Sequence, residues 1–359
     1  MRNRWLLPLL LVASVGSAAE PVRIGVVGLV HGHVGWILNR EPGDQVDMVG
    51  IAEPNRELAQ RLSKRHGFSM EIVYPTVEEM LDAVKPDAVA DFGAIAGHRA
   101  TIEAAADRGV DVMVEKPLAF TREDGAAIDA AAKRGGIHVL TNYETTWYAT
   151  VHRIREMVRE GVLGPVRKIV VRDGHSGPIE IGVAPQFEEW LLDPKQNGGG
   201  AITDFGCYGA DLSVWLMGGR KPVSVTALAQ TIKPEKYPEV DDEATILLEY
   251  PEAQVIIQAS WNWPFARKDM AVYGATGYAK GDGRTGLRVR LQGEPAEKGL
   301  QLAELSGPEG DPFDYLAAVV RGEVDPEGSL WSLDVNLKVV EILAAARESA
   351  RTGRRIRLD

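Results

Sequence analysis

The chain holds one cysteine, Cys207, in 359 residues, so no internal disulfide can staple it and its stability must come from a packed core. It also lacks any run of basic residues interleaved with aromatics, and its formal charge is -11. A nucleic-acid partner and an anionic lipid surface are thereby excluded. Missing too is an apolar run long enough to span a bilayer. The nearest candidate, Trp5 to Val15, follows Arg2 and Arg4 and precedes Ser17-Ala18-Ala19, the order of a secretory signal peptide cleaved after Ala19. Export without a stable membrane anchor is therefore expected, and loss of the two arginines would move the charge from -11 to -13.

What is present is ordinary globular composition, with 45% hydrophobic and 25% charged residues, at a length that calls for two unequal domains. The first, residues 20 to 143, opens with the apolar strand Val22 to Val27, a turn from Gly28 to Gly35, a helical face beginning at Trp36, and a second strand, Val46 to Ile51. This is the first βαβ unit of a Rossmann domain. The turn needs glycine because a pyrophosphate must approach backbone N–H groups at a helix N-terminus. Set against G-x-G-x-x-G, Gly28 fills the first position, while Val30 and His33 stand at the second and third, with Gly32 displaced. His31 and His33 could be half of a metal site, but no neighbouring carboxylate or cysteine completes it, so no metal is expected. They instead donate to phosphate or substrate, or cap the turn.

Glu53 closes the second strand where an acid binds the adenosine ribose hydroxyls. A carboxylate there favours NAD over NADP because it repels a 2'-phosphate, although Arg56 nearby blurs the preference. The competing reading has Glu53 capping the helix from Asn55 to His66. Further βα units start at Ala88 to Phe92, followed by a helix from His98, and at Val110 to Val114, followed by a helix from Thr121. Asp91 within the first of these strands has no evident role. Glu115-Lys116-Pro117 lies at the carboxyl end of the next, where parallel sheets bind ligands.

The second domain, 144 to 359, begins with a helix from Ala149 to Glu160. Strands follow at Val166 to Arg172, Val223 to Gln230, Glu243 to Tyr250, Ala253 to Trp263 and Met270 to Tyr273. The fold class is thus α/β: a doubly wound parallel Rossmann sheet followed by an α+β domain with an open, mixed, largely antiparallel sheet. In Gly198-Gly199-Gly200 to Asp211 the glycines open a helix on which Asp204, Tyr208 and Asp211 share one face. The competing reading has Asp204 capping that helix and Tyr208 filling a core gap.

With Glu115-Lys116-Pro117 and the triglycine helix, the chain from 22 to 358 resembles the glucose-fructose oxidoreductase, inositol dehydrogenase and MocA family (Gfo/Idh/MocA). The resemblance implies a nicotinamide cofactor, carbohydrate-like substrates and assembly as a homo-oligomer. Lys116 matches the family's catalytic lysine, which holds a substrate hydroxyl near the nicotinamide, and Asp204 matches the acid that orients it. Tyr208 stands where many members carry histidine. A free tyrosine titrates near about 10, so it serves as base near neutrality only with the Lys116 ammonium beside it, and is a better acid in the reducing direction. Gly93-Ala94 departs from the family's threonine-proline pair, while His98 keeps its place. Tyr143, His175 and Trp190 are candidates for the sugar pocket.

The expected activity is hydride transfer between a secondary hydroxyl of a sugar or polyol and nicotinamide. Export brings two rivals, since free NAD is scarce outside the cytoplasm. One is a redox-neutral enzyme that retains its NAD, either glycosidase-like or transferring between sugars. The other is a non-catalytic sugar-binding protein on the same fold.

Overall fold

The computed structural model describes residues 20–41 and 45–358, so the segment read above as a signal peptide lies outside the described residues. Six strands form the first sheet: β1 (Val22–Val27), β2 (Val46–Ala52), β3 (Val73–Tyr74), β4 (Ala88–Asp91), β5 (Asp111–Glu115) and β6 (Val139–Asn142). Their order, β3-β2-β1-β4-β5-β6, is doubly wound and all pairings are parallel. Helices cover both faces, which is why β4 and β6 are buried at every position. Close helix packing uses two glycines. A Cβ on Gly25 or Gly50 would come within 3 Å of Met80, which lies across both.

After β1 the turn holds a single 3-10 turn, Gly32–Val34, and the helical face at Trp36 is a four-residue helix, Gly35–Leu38. Gly28 adopts φ +70, and a Cβ there would strike Gly93 backbone atoms at 2.7 Å. That position therefore requires glycine twice over. Past β2, Asn55 rather than Glu53 caps the helix Arg56–His66, accepting from Leu58 N–H at 3.0 Å.

Nine strands form the second sheet: β7 (Val166–Gly174), β8 (Ser224–Gln230), β9 (Glu243–Glu249), β10 (Gln254–Ser260), β11 (Arg267–Gly274), β12 (Gly277–Asp282), β13 (Gly286–Leu291), β14 (Lys298–Gln301) and β15 (Ile356–Arg357). The order is β14-β13-β12-β11-β7-β10-β9-β8-β15, and only β7 and β10 run parallel. One face packs on helices; the other leaves Leu228 and Leu247 exposed. The helix Leu333–Thr352 ties the sheets together. Its Val339 and Leu343 join the core of the second domain, while Val340 packs against Gly125 on the helix Arg122–Gly135 of the first. Each such aliphatic side chain contributes roughly 1.5–3 kcal/mol on burial.

The triglycine segment is also more broken than its pattern suggests. A short helix, Ala201–Asp204, ends before Phe205, and a separate one runs Gly206–Leu216. Asp211 consequently shares no site with Asp204. It is fully buried in the core with neither carboxylate oxygen hydrogen-bonded, and burial raises its pKa far above the usual carboxylate range.

Candidate active site

β5 delivers Lys116 to the carboxyl edge of the first sheet, and the triglycine turn delivers Asp204 to meet it. That turn is fixed from outside its own segment. The Asp241 carboxylate accepts Gly200 N–H at 2.9 Å and Ile202 N–H at 2.7 Å, and a Cβ on Gly200 would overlap the Asp241 carbonyl. Lys116 Nζ then donates to Asp204 Oδ1 in a short bond and to the Asp204 carbonyl at 3.2 Å. The other carboxylate oxygen accepts from Trp261 Nε1 at 3.0 Å. With Lys116 7% and Asp204 6% exposed, burial disfavours both charges, but each outweighs that cost for its partner. The lysine stays an ammonium and the acid a carboxylate.

Tyr208 lies beside this pair, its ring centroid 5.4 Å from Lys116 Nζ. A second ammonium is nearer: Lys268 Nζ sits 4.0 Å over the same ring. Burial drives the phenol well above its ordinary pKa, and Glu144 and Asp173 add to the rise. Lys116 is committed to Asp204, so its help does not make Tyr208 a base near neutral pH. Tyr208 is a neutral hydrogen-bond donor.

Lys268, Glu144 and Asp173 were not anticipated. Lys268 pairs with Glu144 at 3.0 Å and approaches Asp173 at 3.7 Å, facing it across the β7/β11 register. The signal was weak because β11 starts at Arg267, ahead of its apolar portion, so Lys268 reads as part of a polar loop.

The cofactor side is a cleft of about 620 Å³ beyond the ends of β1, β2 and β4. Gly28, Val30 and Glu53 line it, as does Asp91, whose Oδ1 accepts Gly93 N–H at 2.7 Å while Oδ2 has no partner. Asp91 thus shapes the turn where the family's threonine-proline pair is absent. Glu53 accepts Leu29 N–H at 2.9 Å and Asn55 N–H at 2.8 Å, which anchors both the glycine turn and the following helix. Among the described residues no lysine, arginine or histidine lines the cleft. Arg56 is exposed and is not among the residues that line the cleft. NAD fits this site. The ribose acid is in place, and the Val30 and Gly32 amides of the turn are without internal acceptors among the described residues. A 2'-phosphate would meet carboxylates and no cation.

The remaining predicted residues separate. Trp190 lines the cofactor cleft, together with Gln186, Glu189, Asp193 and Gln196 of the helices Pro185–Leu191 and Pro194–Asn197. Tyr143 is buried away from any cleft, its hydroxyl donating to Asn336 Oδ1 at 2.9 Å, so it packs rather than contacts substrate. His98 is buried, with Nδ1 3.1 Å from the Leu118 carbonyl, and does not line the cleft. His175 lies edge-on to Phe205 at 4.9 Å.

His31, His33 and Glu115 form one cluster. The carboxylate missing beside the two histidines in sequence is supplied by the fold, since their ligand-type atoms and that of Glu115 lie within 4.8 Å of one another. Glu115 accepts from Asn142 Nδ2 at 2.7 Å, and His33 Nδ1 is 3.2 Å from each of its oxygens. His31 Nδ1 accepts His33 N–H at 3.1 Å, which places the His31 proton on Nε2, the atom 3.8 Å from Glu115. To ligate a metal, that nitrogen would first have to give up its proton. The cluster is a hydrogen-bonded one, and its members sit beside the cleft rather than in it.

Two family models match the chain: "Oxidoreductase family, NAD-binding Rossmann fold" over residues 22–143 and "GFO/IDH/MocA C-terminal domain" over residues 151–280. Trans-1,2-dihydrobenzene-1,2-diol dehydrogenase of Xenopus laevis is 27% identical over 245 residues, 67% of this chain and 68% of its own length. The NADP+ D-xylose 1-dehydrogenase of Haloarcula marismortui is 22% identical over 359 residues, covering 95% and 94%. Among solved structures, the aldose-aldose oxidoreductase from Caulobacter crescentus complexed with glycerol superposes with TM-score 0.80 at 24% identity, covering 94% of this chain and 100% of that one. The inositol dehydrogenase homolog complexed with NAD+ from Azotobacter vinelandii gives TM-score 0.79 at 20% identity, covering 95% and 98%. With both its N-terminal and C-terminal models matched, the chain belongs to the GFO/IDH/MocA family of oxidoreductases, whose first domain is an NAD-binding Rossmann fold.

Proposed function

We propose that the protein transfers a hydride between NAD and a secondary hydroxyl of a sugar or polyol, working as an exported enzyme. The observation that carries this reading is the buried Lys116 ammonium. It is held charged by Asp204 at the edge of the sheet that bears the cofactor cleft. NAD, when bound, supplies the hydride acceptor or donor. Lys116 binds the substrate oxygen and stabilises negative charge as it develops there, a role in which a preorganised cation in a dry site is effective. Asp204 aims the ammonium, Trp261 aims Asp204, and Tyr208 contributes a neutral hydroxyl that orients the sugar. Export is supported by the composition of residues 1 to 19, and a homo-oligomer by the exposed Leu228 and Leu247 on the outer sheet face. Incubating the protein with NAD and a panel of polyols, with cofactor absorbance as readout, tests the activity. A panel with no turnover counts against it.

A second reading, redox-neutral catalysis with retained NAD, is favoured by the roof over the cleft. Helices of the second domain line it through Gln186, Glu189 and Trp190, and Gln186 Oε1 accepts from Arg61 NH2 at 3.0 Å across the opening. Stoichiometric NAD released from the purified protein on denaturation would support it. If none is released and added NAD does not bind, the non-catalytic reading is left.

A further inference from the structure

Oxidising an alcohol needs a proton acceptor, and the residues around Lys116 leave that role open. Lys116 is a paired ammonium, Asp204 is engaged by Lys116 and Trp261, and Tyr208 is held neutral. Imidazole is the usual acceptor near neutral pH, so the tautomer of each nearby histidine decides the matter. His31 carries its proton on Nε2 because Nδ1 accepts His33 N–H. His175 is locked the same way, with Nδ1 accepting Gly177 N–H at 2.9 Å. His98 is sealed under the cleft. Of the four, His33 alone combines an unprotonated Nε2 with solvent contact, its side chain being 23% exposed and its Nδ1 directed at Glu115.

We infer that His33, held in the Nδ1–H tautomer by Glu115, accepts the proton of the substrate hydroxyl. The inference rests on the hydride-transfer reading above. Three buried groups in series hold the dyad. Trp147 Nε1 donates to Asn142 Oδ1 at 3.0 Å, Asn142 Nδ2 donates to Glu115 Oε1 at 2.7 Å, and Glu115 accepts from His33. Trp36 stacks on the imidazole at 3.9 Å and 14°, which fixes the ring plane. Burial alone would raise the pKa of Glu115, but the hydrogen bonds from His33 Nδ1 and the Asn142 amide oppose it and favour the carboxylate. An ionised carboxylate only accepts, so the proton between the two belongs to His33 Nδ1. The charged and titratable groups facing His33 are Glu115 on β5, His31 in its own turn and Glu144 after β6, itself paired with Lys268. His31 stays neutral because burial lowers its pKa to about 3, and it lies close enough to feel both Glu115 and Lys116, which links the dyad to the lysine.

In the oxidising direction the hydroxyl proton would pass to His33 Nε2, while bound NAD would supply the acceptor for the C–H hydride as the carbon–oxygen bond becomes double. Glu115 compensates the new imidazolium, which returns its proton to solvent at its exposed edge. Reduction runs the same steps backwards.

Glu115→Gln is the discriminating variant. Asn142 still donates to the new amide oxygen, which turns the amide nitrogen toward His33 Nδ1 and forces the proton onto Nε2, the wrong tautomer for an acceptor. Long-range ¹⁵N–¹H spectra should show Nδ1–H in the wild type and Nε2–H in the variant. With a substrate from the polyol screen, kcat should fall about 10²- to 10⁴-fold in Glu115→Gln and in His33→Asn, and NAD affinity should hold. A wild-type His33 protonated on Nε2 overturns the inference, and so does either variant with undiminished kcat. The spectra need no substrate. A failed polyol screen therefore refutes the hydride-transfer reading, and the acceptor role with it, while a wrong tautomer refutes the acceptor role alone.

Discussion

Asp173→Asn tests how the cluster around Tyr208 is held. The wild-type carboxyl is 1% exposed on β7, with Oδ1 making no hydrogen bond. Burial raises its pKa from 3.8 to about 7, against the opposing pull of the Lys268 ammonium. In the unfolded chain the group ionises near 3.8, so between there and about 7 the folded state holds the extra proton. The folded pKa being the higher, this group costs stability progressively as pH rises through that window, and the loss is complete above it. An interval from 3.8 to about 7 corresponds to roughly 4 kcal/mol. Asparagine has nearly the same shape and no proton to lose, and Lys268 keeps Glu144 at 3.0 Å as its partner. The variant should therefore nearly match the wild type near pH 4 and exceed it by roughly 4 kcal/mol near pH 8. Urea denaturation of both proteins at both pH values isolates the effect, since groups not coupled to Asp173 cancel. A stability gap that does not change between the two pH values would show that Asp173 ionises freely in the fold and would refute the reasoning.

Three further outcomes are expected. Lys116→Ala should abolish turnover and leave NAD affinity nearly intact. It should also destabilise the protein by about 3–5 kcal/mol in calorimetry, because Asp204 is left buried with Trp261 as its remaining side-chain partner. Glu53→Gln should relax the preference for NAD over NADP in fluorescence titrations, and an unchanged preference would reject the ribose assignment. Gly28→Ala should lose NAD binding and lower the melting temperature. Its φ of +70 costs about 1 kcal/mol or more with a Cβ, before the clash with Gly93 is counted.

The Rossmann sheet was legible because parallel strands covered on both faces are mostly apolar, as at β1, β4 and β5. The short β3 carried too few residues to announce itself, and β6, flanked by Ile137 and Tyr143, passed as loop. Lys116 and Asp204 were legible through short motifs, which fix local backbone and need no knowledge of the rest of the chain. What binds across long separations was not. Glu115 meets His33 at 82 residues' distance, and Asp241 pins Gly200 from 41 residues away. No periodicity encodes such pairings. Asp173 and Lys268 lay just outside the strands read from the sequence, and the β7/β11 register turns both toward one tyrosine. The turn before the helix Gly35–Leu38 keeps His31 and His33 outside that helix, beside Glu115.

The roof that the second domain lays over the cofactor cleft bears on kinetics. If NAD stays beneath it through a catalytic cycle, electrons taken from one sugar have no exit except into another molecule bound at the same place. Donor alone would then yield a single burst equal to the enzyme concentration and stop. Adding an acceptor would restart it, with the two substrates alternating at one site and competing for it when either is in excess.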